Sequence, residues 1–138
     1  MAYESGTLLA IVQGMAGRTA GQGSKWIRRS TRLAIYHRDG WCCCYCGATA
    51  EDGATLTLDH VLACELGGTN EPANLVTACL SCNSAKQDAT TRGWFATLRD
   101  RGIDTARIGA RIRRLISRPL DRAEGRRLEA ERSAARAA

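Results

Sequence analysis

Residues 42–60 read CCCYCGATAEDGATLTLDH, and residues 74–86 read NLVTACLSCNSAK. These stretches carry two Cys-x-x-Cys pairs, Cys43–Cys46 and Cys79–Cys82. Such a knuckle brings two thiolates to one tetrahedral ion, and two knuckles complete a closed structural zinc site. The stretch between them, residues 47–78, is longer than in a simple zinc ribbon, so another element is inserted there. Cys42 or Cys44 could replace Cys43 in the ligand set, although the spacing favours Cys43 with Cys46. Cys64 has no partner in sequence and reads as a small buried residue.

The chain has 138 residues, 44% of them hydrophobic but only 5% aromatic. One compact domain with appendages suits that length, and a large aromatic core is excluded. Seven cysteines are the obvious substitute for such a core. Leu8 to Val12 is too short for a secretory h-region and has no basic segment before it. No run approaches the roughly 18 apolar residues of a membrane span. The expected setting is a reducing cytoplasm, of a bacterium or a phage-infected host cell, where paired cysteines bind metal more often than they form disulfides.

Charge divides the chain in three. Residues 1–41 carry a net +4, residues 42–91 a net −5 with Lys86 as their one cation, and residues 92–138 a net +7 from thirteen arginines against six acids. An acidic, cysteine-rich centre between two basic arms suits a polyanionic partner, since phosphate neutralisation and counterion release dominate non-specific nucleic-acid affinity. Solvated helix faces are the plainer alternative.

Residues 1–23 are rich in Gly and Ala and read as a loose leader. Ser24 is placed to cap a basic helix running through Trp26, Arg29, Leu33 and Tyr36 to Asp39, with Gly40 as its stop. Leu56-Thr57-Leu58 alternates as a strand leading into Asp59-His60. The turn-forming run Gly67 to Pro72 separates it from a second strand, Leu75-Val76-Thr77, and Cys79 to Thr90 has no helix breaker. Trp94 to Arg101 reads as a helix. Asp104 or Thr105 opens another, with Ile108, Ile112, Leu115 and Ile116 on one face and Arg107, Arg111, Arg114 and Arg118 beside it. Asp121 to Ala138 has few apolar anchors and reads as a solvated helix or frayed tail. The expected organisation is a leader (1–23), a central domain with its basic helix (24–91), a helical extension (92–118) and a charged tail (119–138).

The ordered set RLAIYHRDG, C-x-x-C-G, LTLDHV, GGTNEPANLVTAC and CNSAK, from about Arg32 to Lys86, resembles the HNH endonuclease family. His60, Asn74 and Asn83 match the family's three motif positions, with Asn in place of the last His. The resemblance implies an α+β fold: a small ββα-metal centre with a structural zinc and flanking basic helices. It also implies metal-dependent hydrolysis of DNA phosphodiesters, leaving 5′-phosphate and 3′-hydroxyl ends. In these terms His60 is the base, Asp59 and Asn83 hold one catalytic metal, and Asn74 braces the loop.

The residue chemistry agrees. Asp59 offers a carboxylate and Asn83 a carboxamide oxygen, hard donors suited to Mg²⁺ or Mn²⁺. A largely neutral histidine can take a proton from water at pH 7. Lys25, Arg28, Arg29, Arg32, Lys86, Arg107, Arg111, Arg114 and Arg118 are the candidate DNA contacts. Nothing reads as a base-recognition module, so the expected cutting or nicking has low sequence specificity. The rivals are a non-catalytic zinc-stapled DNA-binding module and a subunit of a larger phage packaging or restriction complex.

Overall fold

The structure is a computed structural model that describes residues 27–87 and 89–138. The elements run α1 (Arg29–Arg38), β1 (Leu56–His60), β2 (Leu75–Cys79), α2 (Leu80–Lys86), α3 (Thr91–Asp100), α4 (Thr105–Ile116) and α5 (Arg122–Ala137). The strands pair antiparallel, Leu56 opposite Cys79 and His60 opposite Leu75. Helix α2 follows β2 without a loop and packs on both strands. The centre is therefore a ββα unit in an α+β chain.

The alternation in the strands reflects two buried faces rather than one wet face. Leu56, Leu58 and Leu75 join α1, α5 and Trp41 in one core cluster, while Val76 and Ala78 join the cysteine knuckles, α3 and α4 in another. Thr57, buried between them, donates its hydroxyl to the Ala78 carbonyl at 3.0 Å, so its burial leaves that donor satisfied.

Helix α1 starts later than its sequence suggests. Arg28 is extended, with φ −58° and ψ 142°, so the first helical residue is Arg29. Ser24, Lys25 and Trp26, with the leader, lie outside the described residues. At the other end Gly40 and Trp41 both take positive φ, and the Trp41 amide donates to the Tyr36 carbonyl at 2.9 Å. That turn folds the Trp41 ring back onto Tyr36, 5.8 Å away, and burial of the indole offsets the left-handed backbone. Buried Arg38 then ties α1 to the sheet: it pairs with Asp39 and donates to the carbonyls of Pro72 and Leu75. Asp39 accepts from the amide and hydroxyl of Thr77.

Three further features differ from the sequence expectation. Helix α2 ends at Lys86 instead of continuing to Thr90. Gln87 takes φ 48°, and the Thr90 hydroxyl caps a new helix by accepting from the Gly93 amide. Cys64 is exposed in a 3-10 turn, Cys64–Leu66, because the loop after β1 leaves the core there. The segment expected as a solvated helix or frayed tail is a helix docked along α1, with Leu128 1% exposed. Gly125 makes that docking close: a Cβ there would lie 2.2 Å from the Ser30 carbonyl oxygen. Among the described residues no helix is long and apolar enough to cross a membrane.

Candidate active site and metal centre

The first knuckle is a turn in which Cys43 donates its amide to the Ala48 carbonyl and Gly47 donates back to the Cys43 carbonyl. The second is the entry to α2, where Cys79 is the N-cap residue and its sulfur accepts from the Cys82 amide. A bond from the Cys44 amide to the Thr77 carbonyl, 2.9 Å, holds the first knuckle against β2. The sulfurs of Cys43, Cys46, Cys79 and Cys82 lie within 4.8 Å of one another. Four thiolates about 2.3 Å from a tetrahedral zinc stand about 3.8 Å apart, and Cys46 Sγ and Cys79 Sγ are 3.7 Å apart. The donor set fits one structural zinc. Cys42 Sγ instead faces the Asp39 carbonyl, which removes the ambiguity of register on that side. Burial pushes the Cys43 thiol up to about 11 and raises Cys82 further. Without metal these groups are therefore protonated, and an incoming zinc ion displaces protons.

Next to this centre a cavity of about 270 Å³ is lined by Asp59, His60, Ala63, Cys64, Glu65, Asn83, Lys86 and Gln87. It forms where the end of β1 meets the outer face of α2. Asp59 is 5% exposed, and its Oδ2 accepts from the Tyr45 hydroxyl at 2.5 Å. Lys86 Nζ reaches Oδ2 at 2.8 Å and Oδ1 at 3.0 Å, and also donates to the His60 carbonyl. Burial, with Cys44 and Asp59 nearby, raises the Tyr45 phenol well above its usual range, so it stays a donor. Asn83 donates its amide nitrogen to Thr57 Oγ1 and the Leu58 carbonyl, which leaves its carboxamide oxygen uncommitted to the strand.

His60 Nε2 is 2.8 Å from Asn70 Oδ1 and 3.3 Å from Cys64 Sγ. Asn70 and Cys64 thus both approach the imidazole at Nε2. Asn74 spans the same loop. Its Oδ1 accepts from the Leu62 amide, and its Nδ2 donates to the carbonyls of Leu62 and Thr69. Gly68 lets this loop close, since a Cβ there would fall 1.7 Å from the Leu62 carbonyl oxygen.

The basic residues do not form one free surface. Arg28, Arg29, Arg107, Arg114 and Arg118 are exposed. Arg32 is half-buried and hydrogen-bonded to Tyr36, and half-buried Arg111 reaches back to the Cys44 carbonyl at 3.5 Å. Lys86, expected as a solvated lysine or phosphate contact, is 3% exposed and paired with Asp59. Its ammonium points into the protein because the last turn of α2 lies against β1. Nothing in the local sequence marks Asn70 for this site, and the only sequence signal for Tyr45 is its place inside a knuckle.

The family model described as HNH endonuclease matches residues 43–89. That span holds both knuckles, both strands and α2, and the two-stranded sheet, helix and four clustered cysteines are consistent with the small ββα-metal fold of that family. Neither the curated proteins nor the solved structures give a match.

Proposed function

We propose that this protein is a metal-dependent DNA endonuclease of low sequence specificity, which nicks DNA or cuts both strands. The observation that carries the reading is the meeting of Asp59, His60 and Asn83 on one cavity beside a four-cysteine centre. The match of residues 43–89 to the HNH endonuclease model supports it.

A hard divalent ion fits the donors present. Asp59 has about four lone-pair positions, of which Tyr45 and Lys86 use at most three, and Asn83 adds a carboxamide oxygen. Bound Mg²⁺ or Mn²⁺ would stabilise negative charge on the phosphoryl oxygens and on the departing 3′ oxygen. The rest is done by the chain. His60, its ring oriented by the Asn70 contact at Nε2, accepts a proton from the attacking water. Asn74 keeps the loop that carries Asn70 folded against Leu62. Lys86 supplies a buried counter-charge to the Asp59 carboxylate. Hydrolysis in this sense leaves a 5′-phosphate and a 3′-hydroxyl.

Exposed Arg28, Arg29, Arg107, Arg114 and Arg118 are the proposed backbone contacts, Arg32 and Arg111 being partly committed to the fold. Such contacts position DNA without reading its bases. One observation favours a second reading, a zinc-stapled DNA-binding module without cleavage: Asp59 already has a buried counter-charge in Lys86. Docking to a larger phage or restriction machine is compatible with either.

Supercoiled plasmid incubated with Mg²⁺, Mn²⁺ or chelator separates the two. Metal-dependent conversion to nicked or linear DNA is the expected result. Salt-sensitive binding with no conversion in any metal would favour the binding module.

A further inference from the structure

Tyr45 occupies the third position of the first knuckle and is 4% exposed. Two contacts fix where its hydroxyl stands. Its ring meets Trp94 of α3 edge-on, with centroids 5.5 Å apart and planes at 88°. The adjacent Cys44 amide is bonded to Thr77 of β2, so the backbone beneath the ring moves with the knuckle and the sheet together. From that base the hydroxyl reaches Asp59 Oδ2 at 2.5 Å, a short contact of the kind a phenol makes to a carboxylate. Lys86 touches both oxygens of the same group. With Oδ2 taken from two directions, Oδ1 is the oxygen with a lone pair to spare on a residue that lines the cavity shared with His60 and Asn83.

We propose that Tyr45 is a positioning residue that couples the cysteine knuckle to the cutting site: its hydroxyl holds Asp59 by Oδ2 and so presents Oδ1 to the divalent cation. The inference rests on the endonuclease reading above. It makes the first knuckle more than a staple, because the residue between its ligands sets the orientation of a carboxylate outside the zinc site. It also gives a reason for a tyrosine at this position, where phenylalanine would pack equally well on Trp94.

Tyr45→Phe isolates the hydroxyl, since the ring and its contact with Trp94 are kept. The variant is expected to bind zinc as the natural protein does and to unfold cooperatively. Its affinity for Mn²⁺, measured by electron paramagnetic resonance on zinc-loaded protein, should fall about tenfold or more, the worth of one charge-assisted hydrogen bond. The Mn²⁺ concentration for half-maximal plasmid nicking should rise by the same factor, with KM for DNA unchanged. Unchanged Mn²⁺ affinity in the variant would overturn the proposal. So would loss of zinc or of cooperative unfolding, which would make the hydroxyl a structural group, and so would a natural protein that binds no Mn²⁺. A natural protein that binds Mn²⁺ but nicks nothing would sink the endonuclease reading instead, and the resonance comparison would still decide the role of Tyr45.

Discussion

Lys86 Nζ lies 2.8 Å and 3.0 Å from the two oxygens of Asp59, and both residues are almost wholly buried. One residue comes from the end of β1, the other from the last turn of α2. The pair therefore locks the strand to the helix at the point where the cavity opens. Breaking a buried pair from one side leaves an uncompensated charge, which typically costs about 3–5 kcal/mol. Lys86→Met should lose stability on that scale in urea unfolding, and Asp59→Asn combined with Lys86→Met should lose much less. Mn²⁺ should raise the melting temperature of Lys86→Met more than that of the natural protein, because the ion becomes the only counter-charge of Asp59. A double-variant loss equal to the sum of the losses of Lys86→Met alone and Asp59→Asn alone would mean the pair contributes no coupling.

Removal of the structural ion should unfold the centre rather than merely inactivate it. The four sulfurs join the start of α2 to a turn outside the sheet, and one core cluster includes all of these ligands but Cys46. Cys82→Ser, or a strong chelator, should abolish cooperative unfolding monitored at the near-ultraviolet bands of Trp94 and Tyr45. Because free thiols are mostly protonated near pH 7, zinc loading of the four cysteines should release protons. Calorimetry in buffers of different ionisation enthalpy reads that release, and identical heats in all buffers would contradict it.

The docking of α5 on α1 turns on a single hydrogen atom. Gly125→Ala would put a methyl group 2.2 Å from the Ser30 carbonyl and 2.8 Å from the Ala34 side chain. Overpacking of this kind costs about 1–3 kcal/mol. The expected outcome is a lower melting temperature with zinc content unchanged, and a melting temperature equal to the natural protein's would show the helices free to separate.

Tyr36 predicts the alkaline limit of stability. Its phenol donates to the Leu56 carbonyl, and burial raises it to about 12, with Arg32 and Arg132 opposing that shift. A raised value means the folded state holds its proton more tightly than the unfolded chain does. The associated stability is thus whole below about pH 10 and lost as pH rises toward 12, about 3 kcal/mol in all. Tyr36→Phe should flatten that part of the pH–stability curve, leaving the contribution of Tyr45, whose phenol is raised as well. An unchanged slope would contradict the assignment.

The parts of this fold that were legible in sequence are those with local signatures. Cysteine spacing, the alternation of Leu56 to Leu58 and the periodicity of Ile108, Ile112 and Leu115 each lie within a few residues of one another. What stayed hidden depends on distant partners. Nothing near Leu128 announces a buried helix, because its apolar surroundings are supplied by α1, nearly a hundred residues earlier. Lys86 reads as any surface lysine until β1 brings Asp59 under it, and Tyr45 reads as knuckle filling for the same reason. The stop at Gln87 has no glycine to mark it; only its φ of 48° does. In the candidate site, Asp59, His60, Asn74 and Asn83 could be named from their order, whereas the hydrogen bonds that orient them could not.

Whether His60 takes a proton from water to cut DNA is tested most directly by His60→Ala on supercoiled plasmid in Mn²⁺. Zinc content and DNA affinity should be measured on the same samples. The natural protein should nick the plasmid, and the variant should lose that activity by at least about a hundredfold, with both other properties intact. Equal nicking by the two proteins, or none by either while both bind DNA, would contradict that role.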